Sequence, residues 1–228
     1  MDITWLGHAA FRLTGQSQTV YIDPVEMEYC GARAKRLFAD PLPANIILLT
    51  HHHTDHCNPE SFARMRTPST VIVGPRGCCD KVRGLVQEIS PGGTSTVGGA
   101  TIQAVYAYNI RRQRSPGTPF HPRGMGVGYV VTLDDHTVYH SGDTEPVPEM
   151  QGLGPVDVAL LPVDGHYTMS PEEALQVAAT VGARTVIPMH YFDTPVGDVL
   201  SAATASQRSG IHVLEVGETF TLGTNTPE

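Results

Sequence analysis

Six consecutive residues, His51-His52-His53-Thr54-Asp55-His56, carry four imidazoles and one carboxylate. Neutral imidazole and carboxylate are the side chains that hold Zn²⁺ and comparable divalent ions. Neither an apolar core nor a solvated surface asks for so many of them together. His51, His53, Asp55 and His56 alternate across what reads as an irregular turn, so no single helix face accounts for them. In extended chain His51 and His53 point the same way, and Asp55 and His56 then fall where the chain turns towards Asn58. One ion could take His51 with His53, and a second Asp55 with His56. The competing reading is an exposed His-rich turn or a structural zinc site. Closed structural sites favour cysteine, however, and this chain has only Cys30, Cys57, Cys78 and Cys79. Two more segments offer ligands. Val138-Tyr139-His140-Ser141-Gly142-Asp143-Thr144 runs into a glycine turn that presents a carboxylate, and Thr185-Val186-Ile187-Pro188-Met189-His190 presents an imidazole.

These residues need elements to position them. The apolar run 46–50 reads as a short buried strand that delivers the histidine cluster to its carboxyl end, where open α/β architectures place ligand sites. Residues 2–6, 9–13 and 19–22 read as strands, with a turn at 14–17. Residues 26–45 lack periodicity and read as a loop with one helical turn. Asn58-Pro59-Glu60 has the form of a helix start running to about Met65, residues 70–73 read as a strand, and 76–87 as an amphipathic helix on Val82, Leu85 and Val86. The Gly- and Ser-rich stretch 90–100 marks a connection between halves. Strands follow at 101–106, 127–133, 137–140 and 156–161, interrupted by an aperiodic, Arg-rich loop at 109–123. Ser170-Pro171-Glu172-Glu173 has the cap, first-turn proline and capping-box acid of a helix ending at Gly182. Residues 185–189 read as a strand, 200–208 as a helix, and 211–216 and 219–222 as closing strands. The layout is two similar β-then-α halves packed sheet on sheet, in one domain over residues 1–228.

Composition narrows the function. The chain is 40% hydrophobic and 17% charged, which indicates neither disorder nor a fibrous class. Sparse, partly adjacent cysteines fit a reduced cytoplasmic setting; Cys57, beside His56, reads as a small buried residue rather than a sulfur ligand. No run approaches the roughly 20 apolar residues of a membrane helix, and the first residues lack the pattern of a secretory signal. A net charge of −8 and only two lysines argue against a nucleic-acid partner. A small molecule is the expected partner, and a homo-oligomer is compatible with the sequence.

Taken together, Thr50-His51-x-His53-x-Asp55-His56, Gly142-Asp143-Thr144 and the late His190 resemble the metallo-β-lactamase superfamily in content and order. Trp5-Leu6-Gly7-His8, Ile22-Asp23-Pro24, Leu161-Pro162-Val163, Thr168 to Ala174, Ile187 to Tyr191 and Val216-Gly217-Glu218 are similar to its small cytosolic branch of metal-dependent hydrolases, which includes L-ascorbate-6-phosphate lactonase. The resemblance spans essentially the whole chain. It implies an α+β fold, a four-layer αββα sandwich with two divalent ions at one edge between the sheets. Zinc is the first expectation, with manganese or iron as alternatives. His51 and His53 would hold the first ion, Asp55, His56 and His190 the second, and Asp143 would bridge them. The branch often carries a histidine where this chain has Asn109. His121 in Phe120-His121-Pro122 is then the favoured missing ligand, because imidazole suits these ions better than the oxygen of Asn109; a one-metal enzyme is the alternative. His8 reads as a group supporting the ligands or touching substrate, or as a buried core histidine. Asp23 and His140 read as hydrogen-bond partners of the ligands, and His52 and His166 have no assigned role.

The chemistry implied is hydrolysis by a metal-activated water, with Asp55 as proton carrier, on a lactone, ester or phosphoester of a small metabolite. Arg111, Arg112, Arg114 and Arg123 lie in the 109–123 loop, and arginine is suited to bidentate capture of carboxylate or phosphate; Arg111 and Arg112 are the expected contacts to an anionic group. A nuclease or phosphodiesterase of the same superfamily, and a non-catalytic metal-binding protein, are the competing functions.

Overall fold

A computed structural model of the protein describes residues 1–191, 197, 201, 203–208 and 210–223. Its strands are β1 (Asp2–Gly7), β2 (Ala10–Thr14), β3 (Thr19–Ile22), β4 (Ile46–Leu48), β5 (Val71–Gly74), β6 (Leu85–Glu88), β7 (Thr94–Val97), β8 (Ala100–Ala107), β9 (Gln113–Ser115), β10 (Thr118–Pro119), β11 (Gly126–Leu133), β12 (His136–His140), β13 (Val158–Pro162), β14 (Thr185–Met189) and β15 (Thr219–Thr221). The α-helices are α1 (Gly31–Ala39), α2 (Arg76–Cys79), α3 (Pro171–Thr180) and α4 (Ala205–Arg208).

Two sheets carry the fold. The first has seven strands in the order β15-β1-β2-β3-β4-β5-β6, and the second six in the order β14-β13-β12-β11-β8-β7. Each begins as an antiparallel meander and continues into parallel strands: β1 to β3 then β4 to β6 in one, β7, β8, β11 and β12 then β13 and β14 in the other. Alternate residues point to opposite faces of a strand, so each sheet has two apolar faces to bury. Ile3, Phe11, Ile22, Leu48, Ile102, Tyr129, Leu160 and Ile187 meet between the sheets. The outer face of the first sheet, with Tyr21, Ile47 and Ile72, takes Phe38 of α1. The outer face of the second, with Tyr139, Ala159 and Leu161, takes Ala174, Leu175 and Val177 of α3. Three apolar interfaces make four layers, the αββα sandwich expected.

Several expected elements differ. The segment read as a loop contains α1, held by Ala34 and Phe38 at (i, i+4) spacing on its buried side. Residues 58–65 do not form an α-helix: the Asn58 side chain accepts from Glu60 N at 3.1 Å, and only a 3₁₀ turn at Ala63–Met65 follows. A segment this short gains too little from its own hydrogen bonds to nucleate a helix. The helix expected over 76–87 stops at Cys79; Gly84 adopts φ +113, and Leu85 to Glu88 pair in parallel with Val71 to Gly74. Parallel pairing with a buried neighbour outweighs the weak amphipathic pattern. The 90–100 connection contains β7, the 109–123 loop contains the β9–β10 ribbon, and of residues 211–216 only Ile211 makes a bridge, to Val186. The helix expected from Leu200 lies in part outside the described residues, and α4 is its described end. Among the described residues no helix is long and apolar enough to cross a membrane.

Strand direction decides where chemistry can occur. The carboxyl ends of β1, β3, β4, β8, β12, β13 and β14 are followed by His8, Asp23, His51, Asn109, Asp143, Asp164 and His190 respectively. The second sheet is tied to the histidine cluster at its rim by the hydrogen bond from Val127 N to Thr50 O, 2.8 Å. Gly126 makes that approach achievable, since a Cβ there would lie 2.8 Å from His51 Cβ and 3.0 Å from Thr50 O. Gly126→Ala should therefore cost about 1–3 kcal/mol of stability through overpacking and should displace His51; a thermal melt unchanged from the parent would contradict this coupling of the sheets at the site.

Candidate metal centre

Asp143 lies at the middle of the rim, buried at the turn after β12. Its Oδ2 stands 3.2 Å from His121 Nε2, 3.2 Å from His190 Nε2, 3.4 Å from His56 Nε2 and 4.0 Å from His51 Nε2. Two separate groups of mutually close donors lie near it, and a third, Asp23 with His51 and His56, links them. The ligand atoms of His51, His53 and His121 lie within 4.8 Å of one another, and those of His8, Asp55, His56 and His190 do likewise. All of the residues expected to ligate metal are brought to this rim, His121 among them. The Asn109 side-chain oxygen is instead occupied by His121, accepting from its Nδ1 at 2.7 Å and its backbone N at 2.8 Å. Asn109 Nδ2 in turn donates to Tyr167 O at 2.9 Å.

Four of the imidazoles, those of His51, His56, His121 and His190, are oriented by a partner on the far nitrogen. His56 Nδ1 donates to Asp23 Oδ2 at 2.7 Å, and His190 Nδ1 to Asp164 Oδ2 at 3.2 Å. Thr50 Oγ1 spends its proton on Asp23 Oδ2 at 2.5 Å, so His51 Nδ1, 3.0 Å away, must donate to it. Asp23 and Asp164 are fixed in turn: Asp23 Oδ1 accepts from Thr50 N at 2.7 Å, and Asp164 accepts from the Thr168 hydroxyl and from Tyr167 N at 2.6 Å. Partners of this kind set tautomer and ring orientation in metal sites. With Nδ1–H committed outwards on His51, His56, His121 and His190, their Nε2 atoms converge on one carboxylate, where each must hold either a proton or an electron pair facing a cation.

That convergence tests whether an ion fits. Electron pairs of imidazoles and a carboxylate repel one another unless a proton or cation lies between them, and burial removes the water that would screen them. Among the described residues, buried Asp143 Oδ1 meets no hydrogen-bond partner, and buried His56 Nε2 has only the 3.4 Å approach to Asp143 Oδ2 and the 3.7 Å approach to Asp55 Oδ2. His51 Nε2 and His53 Nδ1 face each other at 3.0 Å. The donors are nitrogen and oxygen throughout, the set that divalent zinc, manganese and iron accept. The residues fit the group.

Charge distribution differs between the two sets. Burial, reinforced by the neighbouring imidazoles, pushes His51 well down and His53 to about 4, so both are neutral at pH 7. Burial would also lower His190, but the Asp143 and Asp164 carboxylates outweigh it and raise it to about 9. His56 is raised in the same way, by Asp143 and Asp23 against its burial. Burial would raise Asp55, but the hydrogen bond to His8 and the charge of His56 hold its carboxyl well below the usual range. Burial and His190 lower His8 to about 4.

The remaining expected residues have other places. His140 is buried at the end of β12, with its Nε2 on Ala9 O at 3.0 Å and its Nδ1 accepting from Gly142 N at 3.1 Å, which shapes the turn presenting Asp143. Arg111 and Arg112 are not brought to the ligands. Glu145 Oε2 accepts from the backbone N atoms of Ile110, Arg111 and Arg112 at 2.6, 2.7 and 3.0 Å. Arg112 pairs with Glu145 at 2.6 Å and with Glu173 at 2.7 Å, and Arg111 pairs with Glu173. These two arginines clamp the loop to α3 in place of the anion-binding role expected of them. A pocket of ≈280 Å³ beside the ligands is lined by His53, Asp55, His121, Asp143 and His190, with Arg114, Phe120 and Tyr167 forming the rest of its wall. His166 packs its ring on Phe120 and Tyr167, and the carbonyl of His52 accepts from Lys81. Sequence reasoning missed Asp164, Tyr29 and Glu145. The signal for Asp164 was present, since Leu161-Pro162-Val163-Asp164-Gly165 is a buried strand running into an Asp-Gly turn, as is the segment that presents Asp143.

A family model described as a beta-lactamase superfamily domain matches residues 2–190. A UPF0173 metal-dependent hydrolase of Methanoculleus marisnigri is 39% identical over 199 residues, 86% of this chain and 83% of its own. One of Methanoregula boonei is 34% identical over 234 residues, 97% of this chain and 98% of its own. The solved structure of a Parabacteroides distasonis protein, assigned as a metal-dependent hydrolase, matches with a TM-score of 0.80 at 32% identity, covering 94% of this chain and 92% of that one. The sandwich and its rim of ligands define the class, and the chain belongs to the beta-lactamase superfamily and, within it, to the UPF0173 metal-dependent hydrolases.

A pH dependence follows from the charge distribution. An ion binds neutral imidazole, and His56 and His190 are protonated at pH 7 before it arrives. Uptake by that set must release protons at pH 7, and its affinity should climb with pH until His190 titrates near 9. Calorimetric titration in two buffers of different ionisation enthalpy reads the protons directly; no release at pH 7 would contradict this assignment of charge.

Proposed function

We propose that the protein is a binuclear hydrolase acting on a small anionic metabolite through a lactone, ester or phosphoester bond. His51, His53, His121 and Asp143 would hold one ion, and Asp55, His56, His190 and Asp143 the other. Two divalent ions there, zinc foremost with manganese or iron as alternatives, supply Lewis acidity and a water acid enough to ionise near neutral pH. Asp55, partly exposed at the pocket, is the carboxylate placed to take up a water proton and pass it to the leaving group. Its low pKa makes it a brief carrier rather than a store. Phe120 and Tyr167, with ring centroids 5.0 Å apart and edge to face, wall off one side of the pocket from water.

The observation that carries the substrate class is Arg114. It lines the pocket together with the ligands, whereas Arg111, Arg112 and Arg123 are engaged by Glu145, Glu173 and Glu149. An arginine beside the reacting centre favours a substrate bearing a carboxylate or phosphate. The open pocket beside the ligands supports catalysis over metal storage, because a closed shell needs no access. The net charge of −8 disfavours a nuclease.

A hydrolysis screen across lactones, phosphodiesters and thioesters, with and without a chelator, tests this reading. A chelator-sensitive activity is expected on an anionic member. For that substrate Arg114→Ala should raise KM about tenfold, the loss of one charged contact, with kcat changed little. An unchanged KM in that variant would remove Arg114 from substrate recognition, and activity indifferent to chelation would remove the metal mechanism.

A further inference from the structure

Beyond the ligands already assigned, we propose that His8 is a ligand of the second ion, completing a set of His8, Asp55, His56, His190 and Asp143; this rests on the metal-centre reading above.

His8 follows β1 and is buried. Its Nε2 faces Asp55 Oδ2 at 3.2 Å, and its ring lies 4.0 Å from that of His190 and 5.3 Å from that of His56, centroid to centroid. Donors about 2.1 Å from a common ion are about 3.0 to 3.6 Å apart in a five-coordinate array. The separations from Asp55 Oδ2 to His8 Nε2, 3.2 Å, and to His56 Nε2, 3.7 Å, fall within or at the edge of that range. The position is also built as the ligand positions are. His56, His121 and His190 each have the far nitrogen held by an oxygen, and His8 Nδ1 has the Tyr29 hydroxyl at 2.6 Å.

The backbone carries the same sign. His8 and His190 adopt the left-handed conformation, φ +52 and +53, and Asp23 joins them at +45. Non-glycine residues held there store strain that the surrounding structure must support, and such positions cluster at functional sites. Two hydrogen bonds do the supporting: His190 N donates to His8 O at 3.2 Å, and Trp5 Nε1 donates to the same carbonyl at 3.0 Å. The turn after β1 and the turn after β14 are thereby locked together, aiming both imidazoles at one point. A core histidine satisfied by Asp55 and Tyr29 would not need that arrangement on both strands. With His8 included, the second ion is held by five protein donors against four for the first, and it binds the more tightly.

The test is metal binding, read apart from activity. Wild-type protein stripped of metal and titrated with Zn²⁺ against a chromophoric chelator should take up two equivalents. His8→Asn, an exchange that keeps a residue tolerant of the left-handed backbone, should weaken the tighter equivalent at least about tenfold and leave the other in place. Tyr29→Phe, which keeps the imidazole and removes its oxygen partner, should weaken the same equivalent to a lesser degree. In ¹⁵N-histidine spectra of the wild type, the His8 Nε2 resonance should move on loading as those of His56 and His190 do. Two equivalents of unchanged affinity in His8→Asn, or a His8 resonance that does not move, would overturn the assignment and leave His8 a hydrogen-bond donor to Asp55. A wild type that binds no metal would overturn the centre as a whole. Should His8→Asn fail to fold, Tyr29→Phe and the wild-type spectra decide.

Discussion

A single carboxylate surrounded by imidazoles is the constraint on which the rest of this structure depends. Asp143 is buried, and its Oδ2 faces the Nε2 atoms of four histidines from three separate parts of the chain. In a low-dielectric rim such a group is costly unless positive charge lies among the donors. Protons supply part of it in the metal-free protein, which is why His56 and His190 are raised while His51 and His53 stay neutral. Bound metal would satisfy the whole arrangement at once. The outer carboxylates, Asp23 and Asp164, ensure that the electron pairs point inwards.

The sandwich serves this constraint through strand direction. The two sheets share one apolar interface, and their parallel strands end at the same rim. A loop can place a ligand loosely, but a strand end fixed by ladder hydrogen bonds places it within a few tenths of an ångström, which metal coordination requires. His53, Asp55 and His56, in the turn after β4, and His121, in the 109–123 loop, lie beyond the strand ends. The 109–123 loop is braced by Asn109 on the His121 ring, by Glu145 on three successive backbone donors, and by Arg111 and Arg112 on Glu173 of α3. Arg114, which has no ion pair among the described residues, lines the pocket.

The candidate site was legible because chemistry is written in residue type. Four imidazoles and a carboxylate in six residues have few uses other than metal, and Asp143 and His190, which the fold brings to the same rim, stand at the ends of recognisable buried strands. The layers were legible from strand–helix alternation. What was not legible depended on partners distant in sequence. Arg111 and Arg112 look like anion ligands until Glu145 and Glu173, which neutralise them, are known to lie alongside. Leu85 to Glu88 look helical until the neighbouring β5 offers a parallel ladder. Tyr29 carries no local mark at all; its role comes from meeting His8, 21 residues away. Asp164 was within reach of the strand-end rule that found Asp143.

The most direct test of the account is crystallographic. Crystals grown with manganese or zinc and measured at the metal's absorption edge should show two anomalous peaks per chain, one on each side of the Asp143 carboxylate, the first against His51, His53 and His121 and the second against Asp55, His56 and His190. A single peak would make the centre mononuclear, and no peak at this rim would contradict the metal centre itself.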